Sequence, residues 1–471
     1  MRPLLDGAGR RLLDVVGGEW TRLERDLEGT AVAPMLDRDA IRGHLARYDF
    51  AAPADAGAML RDVAELLRRG SVQTTHPRYF GLFCPSVHPV TVAADALAAL
   101  HNPQLASWAA APAANEIERH VLGFLAARIG YDPATAAAHF TSGGMESNLT
   151  GLSVALANTF PEIVDRGLRA LPGPPTVYVS EQGHASVDKA AVTLGLGRGA
   201  VRRVAVNDRL ELDAGALARA IDADRAAGAL PLCVVATAGT TAAGAIDPLA
   251  AIAERCRAED IWCHVDAAWG GGALLSPALS GHLAGIAEAD SVSWDAHKWL
   301  SVPMGAGMFF CRHRDAVAAA FDPPAADYLA AARTHPDDNY RGSLQWSRRF
   351  IGLKLFAALA AEGAGGLGAR IDHQAAMGDG LRWRLRRAGW TLRNASPLPV
   401  VCFSHADLDA GELSAAALVG AIQRSGAAWL SLVDLRGRPA LRACITSFRT
   451  DEADLDALVD LLDDQRRRLL E

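Results

Sequence analysis

From about residue 76 to 365, short runs dense in β-branched and aromatic residues alternate with helical stretches, and this alternation constrains the fold more than any other feature of the chain. The runs fall at 176–179, 201–206, 232–237, 261–265, 290–294 and 305–310. Most are apolar throughout, without the polar-out alternation of a half-exposed strand, so they predict strands buried on both faces. Strand and helix in regular succession predict an α/β architecture with a mostly parallel sheet covered on both sides. In such sheets ligands bind beyond the carboxyl ends of the strands, so residues just after each run are the first place to look for chemistry.

The flanks differ. Residues 1–75 read as a helical arm, with apolar faces in segments such as 58–67. Residues 76–365 form the large ligand-binding domain. A glycine-rich stretch at 363–368 reads as a hinge or helix end, and 366–471 as a smaller α+β domain with strands at 390–393, 399–403 and 441–446 and a final helix from about Glu452.

Half of the 471 residues are apolar and the net charge is −7. Basic residues are scattered among acidic ones, so no stripe is present for nucleic acid. The start, Met1 to Gly7, has no long apolar run, and no stretch approaches the ~20 apolar residues of a membrane span. A cytoplasmic protein is expected. The seven cysteines are odd in number and show no CxxC spacing; they read as reduced, small apolar residues, and no metal site is expected.

Of 47 basic residues only Lys189, Lys298 and Lys354 are lysines. Arginine cannot replace an amine nucleophile, whereas lysine can condense with an aldehyde. Lys298, at the exit of the 290–294 run, is therefore the candidate for covalent chemistry. Four further groups stand at comparable places. Gly143 and Gly144 form a glycine turn opening a helical run, where backbone amides can receive a phosphate. Asp266 ends an apolar strand, where a carboxylate either caps the next helix or holds a ring nitrogen protonated. His184 follows the 176–179 run and could lie against an aromatic cofactor or be purely structural. Gly239-Thr240-Thr241 offers hydroxyls at the same edge.

These residues resemble the pyridoxal-phosphate-dependent group II amino acid decarboxylases, relatives of the aromatic-amino-acid, glutamate and diaminobutyrate decarboxylases. The resemblance rests on Asp295-Ala296-His297-Lys298-Trp299, on His264-Val265-Asp266-Ala267-Ala268, and on Ser107-Trp108 followed by Ala111-Pro112 and Glu116-Ile117-Glu118. It implies the aspartate-aminotransferase-like fold (fold type I), pyridoxal 5'-phosphate as cofactor, an amino acid substrate, and a homodimer with active sites at the interface. Carried over by position, Lys298 would form the Schiff base, Asp266 would pair with the pyridine nitrogen, His184 would stack on the ring and Ala268 would pack beneath it. Gly143, Gly144, Met145, Thr241, Asp295 and His297 would hold the phosphate and its surroundings. Met145 replaces a small or hydroxyl residue and Asp295 an asparagine; a carboxylate beside a phosphate is repulsive unless protonated or turned away.

In the family a tyrosine on a mobile loop is linked to protonation of the alpha carbon after carbon dioxide leaves. Residues 321–329 match that loop, making Tyr328 the candidate acid, with Tyr340 as second candidate because the loop is a few residues short. The resemblance places Leu82, Phe83, Gln104 and Trp108 around the substrate side chain, and Leu82 and Phe83 favour an aromatic one. Two alternatives remain. Oxidative decarboxylation to an aldehyde is disfavoured by the presence of both His184 and Tyr328, and a non-catalytic cofactor-binding scaffold by the presence of Lys298 and Asp266.

Overall fold

The computed structural model describes residues 8–323 and 338–471. Seven strands form the central sheet: β1 (Ala137–Thr141), β2 (Pro175–Ser180), β3 (Val201–Val204), β4 (Leu230–Thr237), β5 (Trp262–Asp266), β6 (Ser291–Asp295) and β7 (Gly307–Cys311). Their spatial order is β1-β7-β6-β5-β4-β2-β3. The pairs from β3 to β6 are parallel, and β7 runs antiparallel to both β6 and β1. The sheet is thus mostly parallel, with helices between successive strands.

Alternate residues of one strand enter different cores, which explains the unbroken apolar runs. Val234 and Ala236 of β4 join one cluster with Val265, Val292, Met308 and Phe310. Cys233 and Val235 face the other way, with Val177, Val179, Phe309 and Leu152. Two strands differ from the sequence reading. β1 was not anticipated, because Ala-Ala-His-Phe-Thr has little β-branched character. β3 stops at Val204, since Val206 leaves the sheet for an isolated antiparallel bridge with Leu212.

Residues 8–70 supply the helices Ala8–Asp26, Arg38–Leu45 and Ala56–Gly70, the last two capped by Asp37 and Asp55 accepting from Ala40 and Ala58 amides at 2.8 and 2.7 Å. Toward the C-terminus a four-stranded antiparallel sheet runs in the order β10-β11-β9-β8, comprising β8 (Thr391–Leu392), β9 (Val400–Ser404), β10 (Ser431–Leu435) and β11 (Arg438–Cys444). Its own core gathers Leu381, Trp390, Phe403, Leu441 and Leu458, with Phe80 inserted from far upstream. The long helix Leu353–Arg387 bends at Gly363, whose φ of 68° and ψ of 165° suit only glycine. Among the described residues no helix is long and apolar enough to cross a membrane. All seven cysteines are free and six are buried.

Candidate active site

The parallel strands deliver their last residues to one edge. Pairing registers Thr237 of β4 with Asp266 of β5, and Asp266 with Ser293 of β6. Asp295 closes β6, and the next turn is the short helix Ala296–Trp299, which carries His297 and Lys298. Across from it Gly143 and Gly144 open the helix Gly144–Thr159. Together these ends enclose a cavity of about 530 Å³ that is lined by Gly143, Gly144, Met145, His184, Thr241, Asp266, Ala268, Asp295, His297 and Lys298. All ten residues expected around the cofactor therefore share one cavity, although they span more than 150 positions of the chain.

Asp266 is buried and fully engaged. Its Oδ2 accepts from Asn148 Nδ2 at 2.8 Å and its Oδ1 from the Ala268 amide at 3.1 Å, while Ser293 Oγ, 3.4 Å from Oδ1, donates to Asn148 Oδ1 at 2.8 Å. Behind it runs a polar chain that sequence reading missed. Trp262 Nε1 donates to Ser291 Oγ (2.9 Å), which lies 2.8 Å from His264 Nδ1; His264 Nε2 lies 3.0 Å from Asn148 Oδ1. Burial pushes the His264 imidazole down to about 4, so the ring is neutral near pH 7. Since the Asn148 amide oxygen can only accept, the ring proton sits on Nε2 and Nδ1 accepts the Ser291 proton. Every donor in the chain then points toward the carboxylate.

Lys298 Nζ pairs with Asp295 Oδ2 at 3.0 Å. The same oxygen accepts the Gly144 amide at 2.9 Å, and His297 Nε2 lies 3.7 Å away. His297 Nδ1 accepts from the Ala306 amide at 3.1 Å, which leaves a neutral ring with its proton on Nε2; burial lowers its pKa. The loop after Lys298 is held from below. The ammonium of Lys354, 1% exposed, donates to the carbonyls of Pro303, Met304 and Gly305 at 3.2, 3.0 and 3.4 Å. Met304 lines the cavity. The rarity of lysine in the chain was the signal that could have found this residue.

His184 is exposed at the rim, its Nδ1 accepting from the Ser186 amide at 3.2 Å. The four residues expected around the substrate do not line this cavity. Phe83 is buried one layer behind it, stacked on the lining Trp269 with centroids 4.3 Å apart. Leu82 is exposed, Gln104 Nε2 donates to Ser347 Oγ at 3.2 Å, and Trp108 Nε1 donates to Glu116 at 2.7 Å. Tyr328 lies outside the described residues. Tyr340 is buried against Trp346, with ring centroids 4.8 Å apart, and its hydroxyl has no hydrogen-bond partner among the described residues. A buried cation absent from the sequence reading stands behind Thr241. The Arg442 guanidinium donates to the carbonyls of Thr241 and Gly81 and to Ser431 Oγ, and lies 5.9 Å from the Phe83 ring.

A mostly parallel sheet whose strand ends bring together an amine, a buried carboxylate and a glycine turn at a helix start defines a pyridoxal phosphate enzyme of the aspartate-aminotransferase architecture. The chain belongs to the pyridoxal-dependent decarboxylase family, whose conserved domain matches residues 43–406. It is 35% identical over 341 residues to cysteine sulfinic acid decarboxylase of Rattus norvegicus, covering 71% of this chain and 68% of the relative. It is 29% identical over 438 residues to the aromatic-L-amino-acid decarboxylase of Bacillus atrophaeus, covering 91% and 89%. The crystal structure of mouse CSAD in apo form superposes with a TM-score of 0.89 at 29% identity, over 98% of this chain and 99% of the other. The donor set fits the cofactor: an amine for the aldehyde, a carboxylate in a field of donors for the ring nitrogen, and a helix start with His297 for the phosphate. Asp295 and Glu146 are of the wrong charge there, Glu146 being taken up by the Ser142 amide and Gln345 Nε2 at 2.8 and 2.6 Å.

Proposed function

We propose that Lys298 carries pyridoxal phosphate as a Schiff base and that the enzyme converts an L-amino acid with an aromatic side chain to its amine and carbon dioxide. The observation that carries this reading is the meeting of Lys298 and Asp266 at neighbouring strand ends within one cavity. Bound there, the cofactor supplies a cationic ring that accepts the electron pair left when the carboxylate departs. Asp266, fixed by Asn148 and Ala268, would hold the ring nitrogen's proton. His184 and Ala268 confine the ring from opposite sides, and His297 Nε2–H and the Gly143–Met145 turn bind the phosphate. The apolar lining from Met145, Leu149, Trp269 and Met304 supports an apolar side chain.

Tyr328 is the proposed proton donor to the alpha carbon. Leu82, Gln104 and Trp108 stand apart from the cavity of their own chain, which supports a homodimer in which they face the partner's site. A second reading, an acidic side chain, is favoured by Arg442, a buried guanidinium whose partners named above are carbonyl and hydroxyl oxygens. Cysteine sulfinic acid decarboxylase, by its name, acts on such a substrate.

A mass-spectrometric screen of the cofactor-loaded protein against the standard L-amino acids, cysteine sulfinate, ornithine and 2,4-diaminobutyrate tests both readings. Amine and carbon dioxide in equal amounts from an aromatic substrate, lost in Lys298→Ala, is the expected result. Turnover of cysteine sulfinate, aspartate or glutamate alone would replace the first reading by the second. Aldehyde in place of amine would overturn simple decarboxylation, and Tyr328→Phe is expected to raise the aldehyde fraction.

A further inference from the structure

Asp295 occupies the place where a phosphate has to be received. Its side chain is 1% exposed, and Oδ2 holds both the Gly144 amide, at 2.9 Å, and the Lys298 ammonium, at 3.0 Å. The other oxygen, Oδ1, is buried without a hydrogen-bond partner among the described residues. A Cβ on Gly307 would stand 2.8 Å from Oδ1, so the close approach of β7 to this carboxylate depends on glycine at that position. The amide that Oδ2 accepts belongs to the first residue of the helix Gly144–Thr159, whose free amides and dipole make the turn an anion site. The carboxylate therefore satisfies, from within the chain, the groups that would otherwise serve an incoming phosphate and an incoming aldehyde.

We propose that Asp295 is an internal stand-in for the cofactor's phosphate: it neutralises the glycine turn and Lys298 in the cofactor-free enzyme, must yield both when cofactor enters, and so weakens retention of the phosphorylated cofactor. The consequence is an enzyme whose cofactor exchanges readily and whose loaded fraction follows the supply of pyridoxal phosphate. The cost falls on the phosphate, because a buried carboxylate repels a dianion held at the same turn, and the repulsion grows where water is excluded. Freeing Lys298 from Asp295 costs every aldehyde alike, whereas this repulsion falls on a phosphorylated one alone. Asparagine at position 295 would keep an oxygen for the Gly144 amide, remove the charge and offer a donor to the phosphate.

This inference rests on the assignment of the cavity to pyridoxal phosphate, and the test separates the two. Dissociation constants of pyridoxal phosphate and of unphosphorylated pyridoxal are measured by titrating the apo-enzyme and following the Schiff-base absorption, for wild type, Asp295→Asn and Asp295→Ser. Inorganic phosphate is titrated as a competitor. Asp295→Asn is expected to tighten pyridoxal phosphate about tenfold or more beyond any change in pyridoxal, and to make inorganic phosphate a stronger competitor. Equal changes for both aldehydes, no change for either, or weaker binding of pyridoxal phosphate alone would overturn the proposal. Asp295→Ser, which removes the charge without resembling asparagine, is expected to shift the same ratio in the same direction if the asparagine variant does not fold. A wild-type protein that binds neither aldehyde would instead refute the cavity assignment.

Discussion

A carboxylate can support a protonated ring only while it stays ionised in a dry place, and in this chain that condition falls on residues 2 to 118 positions from Asp266. Asn148 is the pivot, since it donates to Asp266 and accepts from His264. Asn148→Leu keeps the volume and removes both bonds. Losing a hydrogen bond to a charged group costs about 1.5–3 kcal/mol, so kcat is expected to fall roughly 10- to 100-fold with little change in KM. Steady-state kinetics at saturating cofactor check this, and an unchanged kcat would show that Asp266 needs no support from Asn148. Lys298 and Asp266 were legible in the sequence because each stands at the end of an apolar strand, where a charged residue has few structural uses. The supporting residues were not legible: Asn148, Ser291 and Arg442 acquire meaning only from partners on other strands, and no local pattern marks them.

At the level of elements, the strands that carry the site were readable and the antiparallel edges were not. β4, β5, β6 and β7 are buried along nearly their whole length, and their composition shows it. β1 lies at a sheet edge with its first two residues only partly buried, and β10 has Leu432 on its exposed side, so neither carries a strong signal. The bend in the long helix was readable because glycine alone reaches its backbone angles. The loop from Pro303 to Gly305 is the element on which reactivity most depends without itself being reactive. It contains no buried anchor of its own and is fixed by one ammonium from the helix Leu353–Arg387. Lys354→Met leaves three carbonyls without their charged donor while filling the same space. The variant is expected to lose about 1–3 kcal/mol of local order at the loop and to lower kcat/KM about tenfold or more, with the helix itself intact. Hydrogen exchange of residues 300–306 read alongside kinetics tests this; a loop as protected as the wild type's, with normal kcat/KM, would show that the ammonium is dispensable.

The whole molecule buries imidazoles that its unfolded chain would protonate, and this sets its response to acid. Burial lowers His264 and His76 to about 4, and lowers His139 to about 3 with help from the nearby Arg348. An unfolded histidine titrates near ~6.5. Between those values the unfolded chain binds protons that the folded chain refuses, so stability is full above pH ~6.5 and is lost as the pH falls, by about 1.4 kcal/mol per unit for each histidine. Asp247 works in the opposite direction. Its carboxyl is buried and raised to about 7, so the folded chain holds a proton that the unfolded chain releases down to pH ~3.9, and stability gains by a similar slope over that range. Three histidines against one carboxyl leave a net loss on acidification, with greatest stability near neutral pH. His139 isolates one of these contributions: it lies outside the Lys298 cavity, its Nε2 has no hydrogen-bond partner among the described residues, and its ring packs at 5.4 Å on Phe309. His139→Phe is expected to raise the urea midpoint at pH 5 more than at pH 7.5, flattening the profile by roughly one histidine's slope. Equilibrium unfolding at saturating cofactor across that range decides it; parallel profiles for wild type and variant would mean that His139 is protonated in the folded protein and that the acid loss arises elsewhere.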